Sequence, residues 1–435
     1  LTRHPQTAAK LAMEPFTTEP QELVEVVPVE SEPEGESSAA SCPVSYRDRI
    51  LIDVIHDGNW LPEEYLVDRD GGVITYRDIE EQYIVERDWG ASLVAARIAA
   101  FLGLPSFARV KVARVLLDFG RFPGSTPRHA EHLTRFAINY PFSKRLSYAQ
   151  KKDLLERYYD GISDRYDELI EGKLIKIAVH TYDRYNDSGT ERPPVSLLTR
   201  SLTYQTASEL PAGLFDPLYP DVLAEFTADR VLRDRISLTL EKAKIPVAHN
   251  YPYLLPEGSL EVRYQVWNYF RFLRRRFEEA HPELVRGDGA DGAGFEMVWK
   301  MLMDTNLRSS DSEALRSYLH MYRRPFAGQE AEFRAAAKAY RKIRDFAEHN
   351  RRDLLDAYRF SPERPSSLGL EVRKDIVCEL AHDGRPVQPR WEQLDRVAST
   401  IARAISVYLR EDHEDAPLQH PPLAPGDPWY AHPQD

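Results

Sequence analysis

The chain has 435 residues, 42% of them hydrophobic and 29% charged, with a formal net charge of −12 from 57 basic and 69 acidic side chains. At roughly 150 residues per domain this suggests two to three structural units with a buried core, which excludes whole-chain disorder. The acidic balance argues against a nucleic-acid partner, which needs a basic surplus to neutralise phosphates, and no run approaches the roughly 18 apolar residues of a membrane span.

Residues 1–45 are rich in Glu, Pro and Ser and are predicted to be a disordered acidic tail. The N-terminus lacks the basic-then-apolar layout of a signal peptide. The two cysteines, Cys42 and Cys378, make no CxxC and no disulfide framework, so a cytoplasmic setting is expected.

Order is predicted to begin near Tyr46. Ile50 to Ile55 is a short β-branched run, read as a strand that ends in the turn composition His56-Asp57-Gly58-Asn59. Trp89, Leu93, Val94, Ile98, Phe101 and Leu102 recur at helical spacing over 86–103. A β-rich run from Ala108 to Leu117 ends at Asp118-Phe119-Gly120-Arg121, and 147–171 reads as a helix. Leu174 to Val179 is a buried strand ending at His180, and a further strand near 246–248 ends at His249-Asn250. Helical spacing then dominates 261–360. The sheet resumes at 367–372, a helix follows at 391–411, and a Pro-rich tail closes the chain.

Alternating strands and helices predict an α/β fold, a mostly parallel mixed sheet with helices on both faces of phosphorylase/hydrolase-like type, plus a large all-helical insertion. The expected division is a tail at 1–45, a catalytic α/β domain at 46–260 and 361–415, a helical insertion at 261–360 acting as lid or interaction unit, and a Pro-rich tail at 416–435. In such sheets ligands bind outside the carboxyl ends of the strands. His56, Arg121, His180 and Asn250 each follow a predicted strand, so they are expected to share one mouth.

Hydrolytic zinc sites use two imidazoles and a carboxylate, with one position left for water. His56 and His180 supply the imidazoles. Glu86 or Asp88, at the predicted helix start Glu86-Arg87-Asp88-Trp89-Gly90, supplies the acid; either also suits a helix cap. The same donors describe a ferrous iron site.

Six segments in order resemble the N-formylglutamate amidohydrolase family, related in fold to the zinc carboxypeptidases and aspartoacylase. They are Val54-Ile55-His56-Asp57-Gly58 with Leu61-Pro62, the 86–90 segment, Ala113 to Arg121, Ile177 to Tyr182, Asn250-Tyr251-Pro252-Tyr253, and Gly369-Leu370-Glu371-Val372. The resemblance implies that His56, Asp88 and His180 hold zinc, with Glu86 the runner-up. It implies that Glu371 is the general base for the attacking water and then protonates the leaving amine. Arg121 would clamp a substrate carboxylate, assisted by Arg114, and Tyr182 or Asn250 would steady the oxyanion. The implied reaction is cleavage of an N-acyl or N-formyl amino acid, or a similar small carboxylate-bearing amide.

Three departures stand out. Gly120 occupies the place of an Asn that precedes the family's Arg. The 158–166 segment lacks the expected His, and the Gly-rich turn after Asn250 is replaced by 254–258. Gly120 and the added helices leave open a non-catalytic binding or scaffold role on the same fold, with a protein partner or dimer through the insertion.

Overall fold

The structure, a computed structural model, describes residues 14–30, 41–121, 137–201, 215–224, 226–252, 254–256, 258–285, 290–305, 310–321, 323–325, 327–359, 361 and 364–412. Residues 1–13, the acidic stretch at 31–40 and the Pro-rich tail lie outside the described residues.

Seven strands form one sheet in the order β1 (Val24–Pro28), β3 (Ser106–Val110), β2 (Ile50–Val54), β4 (Ile175–Tyr182), β7 (Ser366–Arg373), β5 (Val195–Leu198) and β6 (Val247–His249). The central strands β3, β2, β4 and β7 run parallel. β1 is antiparallel to β3, β5 is antiparallel to β7, and β6 is parallel to β5. The expected α/β class with a mostly parallel mixed sheet is what forms.

Side chains alternate across a strand, and here the two faces differ in kind. Ile50, Ile52 and Val54 of β2, Ile175, Ile177 and Val179 of β4, and Leu368, Leu370 and Val372 of β7 belong to one apolar core with the helices at 91–102, 230–242 and 391–407. The intervening positions Asp53, Lys176, His180, Ser367 and Glu371 point to the other face, and all but the partly exposed His180 are buried. There, Lys176 Nζ lies 2.9 Å from Asp53 Oδ1 and 2.7 Å from Glu261 Oε1, and Tyr166 donates to Asp53 Oδ2 at 3.1 Å. A buried ammonium is tolerable only with such partners.

Three expectations are corrected. Residues 14–30 are not a disordered tail: Val24 to Pro28 pair in register with Val110 to Ser106, because Val24 and Val27 bury against the sheet edge while the carboxylates of Glu14 and Glu25 meet buried cations. The helix expected over 86–103 starts later, as α2 (Ala91–Leu102), and a separate helix, α1 (Tyr76–Glu86), ends where it was expected to begin. Arg87 leaves α1 with extended backbone and Gly90 enters α2 at φ 84°, a left-handed conformation that glycine accepts without strain. Asp88 therefore sits in a tight link and does not open a helix.

The third concerns the helical region. Helices occupy its described residues, as expected: α3 (Leu260–Ala280), α4 (Ala290–Met303), α5 (Ser310–Met321), α6 (Glu330–His349) and α7 (Arg351–Arg359). Its boundary at 261 is not a physical one. Leu260 and Tyr264 of α3 pack in the core beneath β2 and β3, while Val262, Val266 and Tyr269 on its other side already join the separate core of Phe277, Trp299, Phe333, Tyr340 and Tyr358. Leu198, Phe215, Tyr219 and Leu255, all earlier in the chain, belong to that same core. Among the described residues, no helix is long and apolar enough to cross a membrane.

Candidate metal centre

Three chain segments meet at the carboxyl ends of β2 and β4. The residues after β2 are tied to the α1–α2 link by the Asp88 N–H, which donates to His56 O at 3.0 Å. The buried Asp57 carboxylate accepts from Arg87 Nε at 2.7 Å and from the Ser92 N–H, in the first turn of α2, at 3.2 Å. Arg87 is itself buried; its guanidinium lies 4.0 Å from the Trp89 ring centroid and donates to Tyr83 Oη at 2.8 Å. Removing one partner of such a buried pair costs about 3–5 kcal/mol, so the pair locks the two loops together. The Thr181 hydroxyl donates to Trp89 O at 3.0 Å and fixes the link to β4.

These ties bring His56, Asp88 and His180 together. His180 Nδ1 lies 2.8 Å from Asp88 Oδ2, His56 Nδ1 lies 3.4 Å from the same oxygen, and the two Nδ1 atoms are 3.1 Å apart. A tetrahedral zinc with bonds of about 2.0–2.1 Å sets its ligand atoms roughly 3.3 Å apart, so the three donors fit one small divalent cation. They form the group capable of holding a metal among the described residues. His56 turns its other nitrogen, Nε2, to Asp118 Oδ1 at 2.7 Å. A carboxylate behind a ligating imidazole fixes its tautomer and strengthens it as a donor.

The partners around the cluster shift its titratable groups in opposite directions. Burial opposes ionisation of Asp88, but hydrogen bonds with His180 and His56 and the charge of Arg114 hold its carboxyl far below the ordinary range. Asp118 is likewise buried, yet His56, Arg114 and Arg121 keep it ionised well below its usual value. Burial lowers the pKa of His180, while its bond to Asp88 and the charges of Glu371, Asp88 and Glu261 outweigh that and raise it to about 9.

The other expected residues divide. Glu371 is buried and level with His180 in the β4–β7 register. Arg114 Nε and Arg121 Nε both reach Asp118 Oδ2, at 3.1 and 3.0 Å, and Arg114 Nη1 lies 3.2 Å from Asp88 Oδ1. Arg121 Nη1 also donates to Asn139 Oδ1 at 2.6 Å. Tyr182 ends β4, and its hydroxyl donates to Pro193 O at 2.7 Å; burial and the charge of Glu371 push its pKa up.

Two residues stand apart from the cluster. Glu86, the last residue of α1, faces Arg114 Nε at 3.5 Å and does not join the imidazoles. Asn250 does not share the mouth. Because β5 and β6 run against β7, with Leu197 opposite both Leu370 and His249, Asn250 leaves the sheet toward the amino end of β7. Its Oδ1 accepts from the Thr199 and Arg200 N–H groups at 2.9 Å, which stabilises its own turn at φ 52°.

Sequence reasoning missed Asp118 as the partner of His56. It also missed Asn139 and the Asp53–Lys176–Glu261 set. A signal for the last was present: a lone charge inside the apolar runs at 50–55 and 174–179 marks a buried charge on one strand face.

No family model matches the chain, and no curated protein matches it. Among solved structures, an N-formylglutamate amidohydrolase from Ralstonia eutropha aligns with a TM-score of 0.44 at 13% identity, over 89% of this chain and 98% of that one. A gene product of Agrobacterium tumefaciens aligns with a TM-score of 0.39 at 13% identity, over 90% and 98%.

Proposed function

We propose that the chain is a zinc-dependent amidohydrolase acting on an N-acyl or N-formyl amino acid, or a similar small amide that carries a carboxylate. The observation that carries the reading is the meeting of His56 Nδ1, Asp88 Oδ2 and His180 Nδ1 within 3.4 Å of one another, with Asp118 behind His56. Those three side chains would hold the ion. When bound, zinc lowers the pKa of a water toward neutrality and polarises a scissile carbonyl.

The remaining work falls to the chain's own groups. The Glu371 carboxylate, beside His180 on the same sheet face, takes the proton of the attacking water and returns it to the leaving nitrogen. Arg114 and Arg121 converge on Asp118 and set two positive charges beside the His56 end of the cluster, which favours a substrate with a carboxylate. The buried surroundings strengthen each of these charges, because little water screens them.

The test is elemental analysis of the purified chain together with hydrolysis of a panel of N-formyl and N-acyl amino acids, with and without a chelator. Stoichiometric zinc and chelator-sensitive hydrolysis are expected, and both should vanish in His180→Ala. Full activity in metal-free protein would end the proposal. Stoichiometric iron with iron-dependent oxygen consumption would replace it, since ferrous iron takes the same donors.

A further inference from the structure

Two buried cations at the end of β3 draw their anionic partners from the N-terminal segment. Arg109 Nη1 lies 2.8 Å and Lys111 Nζ 3.0 Å from Glu14 Oε2. Glu25 Oε2 lies farther off, at 3.8 and 3.6 Å from the same nitrogens. Arg109 is fully buried and Lys111 nearly so. Burial would raise the Glu14 carboxyl, but the two cations pull it below its ordinary value.

The same short segment also grips the loops of the metal centre. Glu14 O accepts from Arg87 Nη1 at 2.9 Å, Pro15 O accepts from Asn59 Nδ2 at 2.7 Å, and the Thr17 N–H donates to Asn59 O at 3.0 Å. Arg109 Nη2 donates to Asp57 O at 2.8 Å. Glu14 thus reaches, directly or through one guanidinium, the neighbours of both His56 and Asp88.

We propose that Glu14 is a positioning residue for the His56–Asp88–His180 cluster, holding the 56–59 and 86–90 loops in place through Arg109 and Arg87; the proposal rests on the metal-binding reading above. Its carboxylate anchors the Arg109 guanidinium that holds Asp57 O, and its carbonyl anchors the Arg87 guanidinium that holds the Asp57 side chain. Without the carboxylate, Glu25 is the one anionic partner left to Arg109 and Lys111 among the described residues. Arg109 then shifts toward Glu25 and releases the loop that carries His56.

The experiment compares the full chain with Glu14→Ala, Glu14→Gln and Glu25→Gln. Zinc is titrated against a competing chelator at neutral pH, well below the unfolding transition, and thermal unfolding is followed separately. Partners outside the ligand shell of a metal site are typically worth about tenfold to a hundredfold in affinity. A loss at the lower end of that range is expected in Glu14→Ala and a smaller one in Glu14→Gln. Glu25→Gln, whose carboxylate meets the same cations without touching the loops, is expected to lower the unfolding temperature and leave zinc affinity unchanged.

Unchanged zinc affinity in both Glu14 variants, or an equal loss in Glu25→Gln, would overturn the proposal. If Glu14→Ala does not fold, Glu14→Gln decides. A wild-type chain that binds no zinc would instead remove the metal-binding reading, and this proposal with it.

Discussion

Glu371 and His180 are register partners across the parallel β4–β7 ladder. Adjacent strands lie about 4.8 Å apart and partners project from the same face, so the buried glutamate stands beside the His180 imidazole without being one of the three clustered donors. Its charge is one of the causes that raise the pKa of His180.

Glu371→Gln keeps the shape of the side chain and removes the base. Amide hydrolysis is expected to fall by about 10²–10⁴-fold, the usual worth of a positioned general base, while zinc content stays at the wild-type level. Rate measurements paired with elemental analysis check this; an unchanged rate would exclude Glu371 as the base.

Asp118→Asn replaces the carboxylate that accepts from His56 Nε2 and pairs with Arg114 and Arg121. Zinc affinity is expected to drop by about 10–100-fold, read by chelator competition. The guanidiniums also lose their shared anion, so KM for a carboxylate-bearing substrate should change as well.

Gly120→Asn restores the residue that the family resemblance expects. A Cβ at this position would meet Asp118 Oδ1, His56 Nε2 and Ile55 Cδ1, each at 3.2 Å, tighter than ordinary van der Waals contact, and Gly120 N already donates to Asp118 Oδ1 at 2.9 Å. The variant is expected to lose about 1–3 kcal/mol of stability through overpacking and to bind zinc more weakly. Denaturant unfolding and zinc titration read the two effects.

Glu261 gives the pH dependence of stability a definite sign. Burial opposes its charge, but Lys176, by charge and hydrogen bond, brings its pKa from 4.5 down to about 2. A depressed carboxyl contributes stability that is present above its unfolded pKa and lost as pH falls through the folded one. The contribution should therefore be whole above pH 4.5 and disappear toward pH 2. Asp53, on the same ammonium, moves upward because its burial outweighs Lys176, so it does not share this dependence. Denaturant unfolding over that range should show a shallower decline in Glu261→Gln than in the wild type.

Much of the fold was legible because strand and helix periodicities are local. The runs at 50–55, 174–179 and 367–372 carry the pattern of strands covered on both faces, and the described residues of 261–360 carry that of helices. The N-terminal segment was misread for the opposite reason. Its Glu, Pro and Ser content resembles a solvated tail, and its order comes from Arg87, Arg109 and Lys111, far along the chain. The late start of α2 was also hidden, since Glu86 and Asp88 suit a helix opening and only Gly90 marks the turn.

The amino-acid sequence by itself determined which residue types stand at the ends of the strands, since a β-branched run that stops at a histidine does so whatever surrounds it. It thereby nominated His56 and His180, and left the acid as either Glu86 or Asp88; Glu371 entered only through the family resemblance. Only the tertiary structure chose Asp88, excluded Asn250 from the mouth and put Asp118 behind His56. Those outcomes depend on strand direction and on loops joined by long-range hydrogen bonds, and neither leaves a periodic trace in the chain.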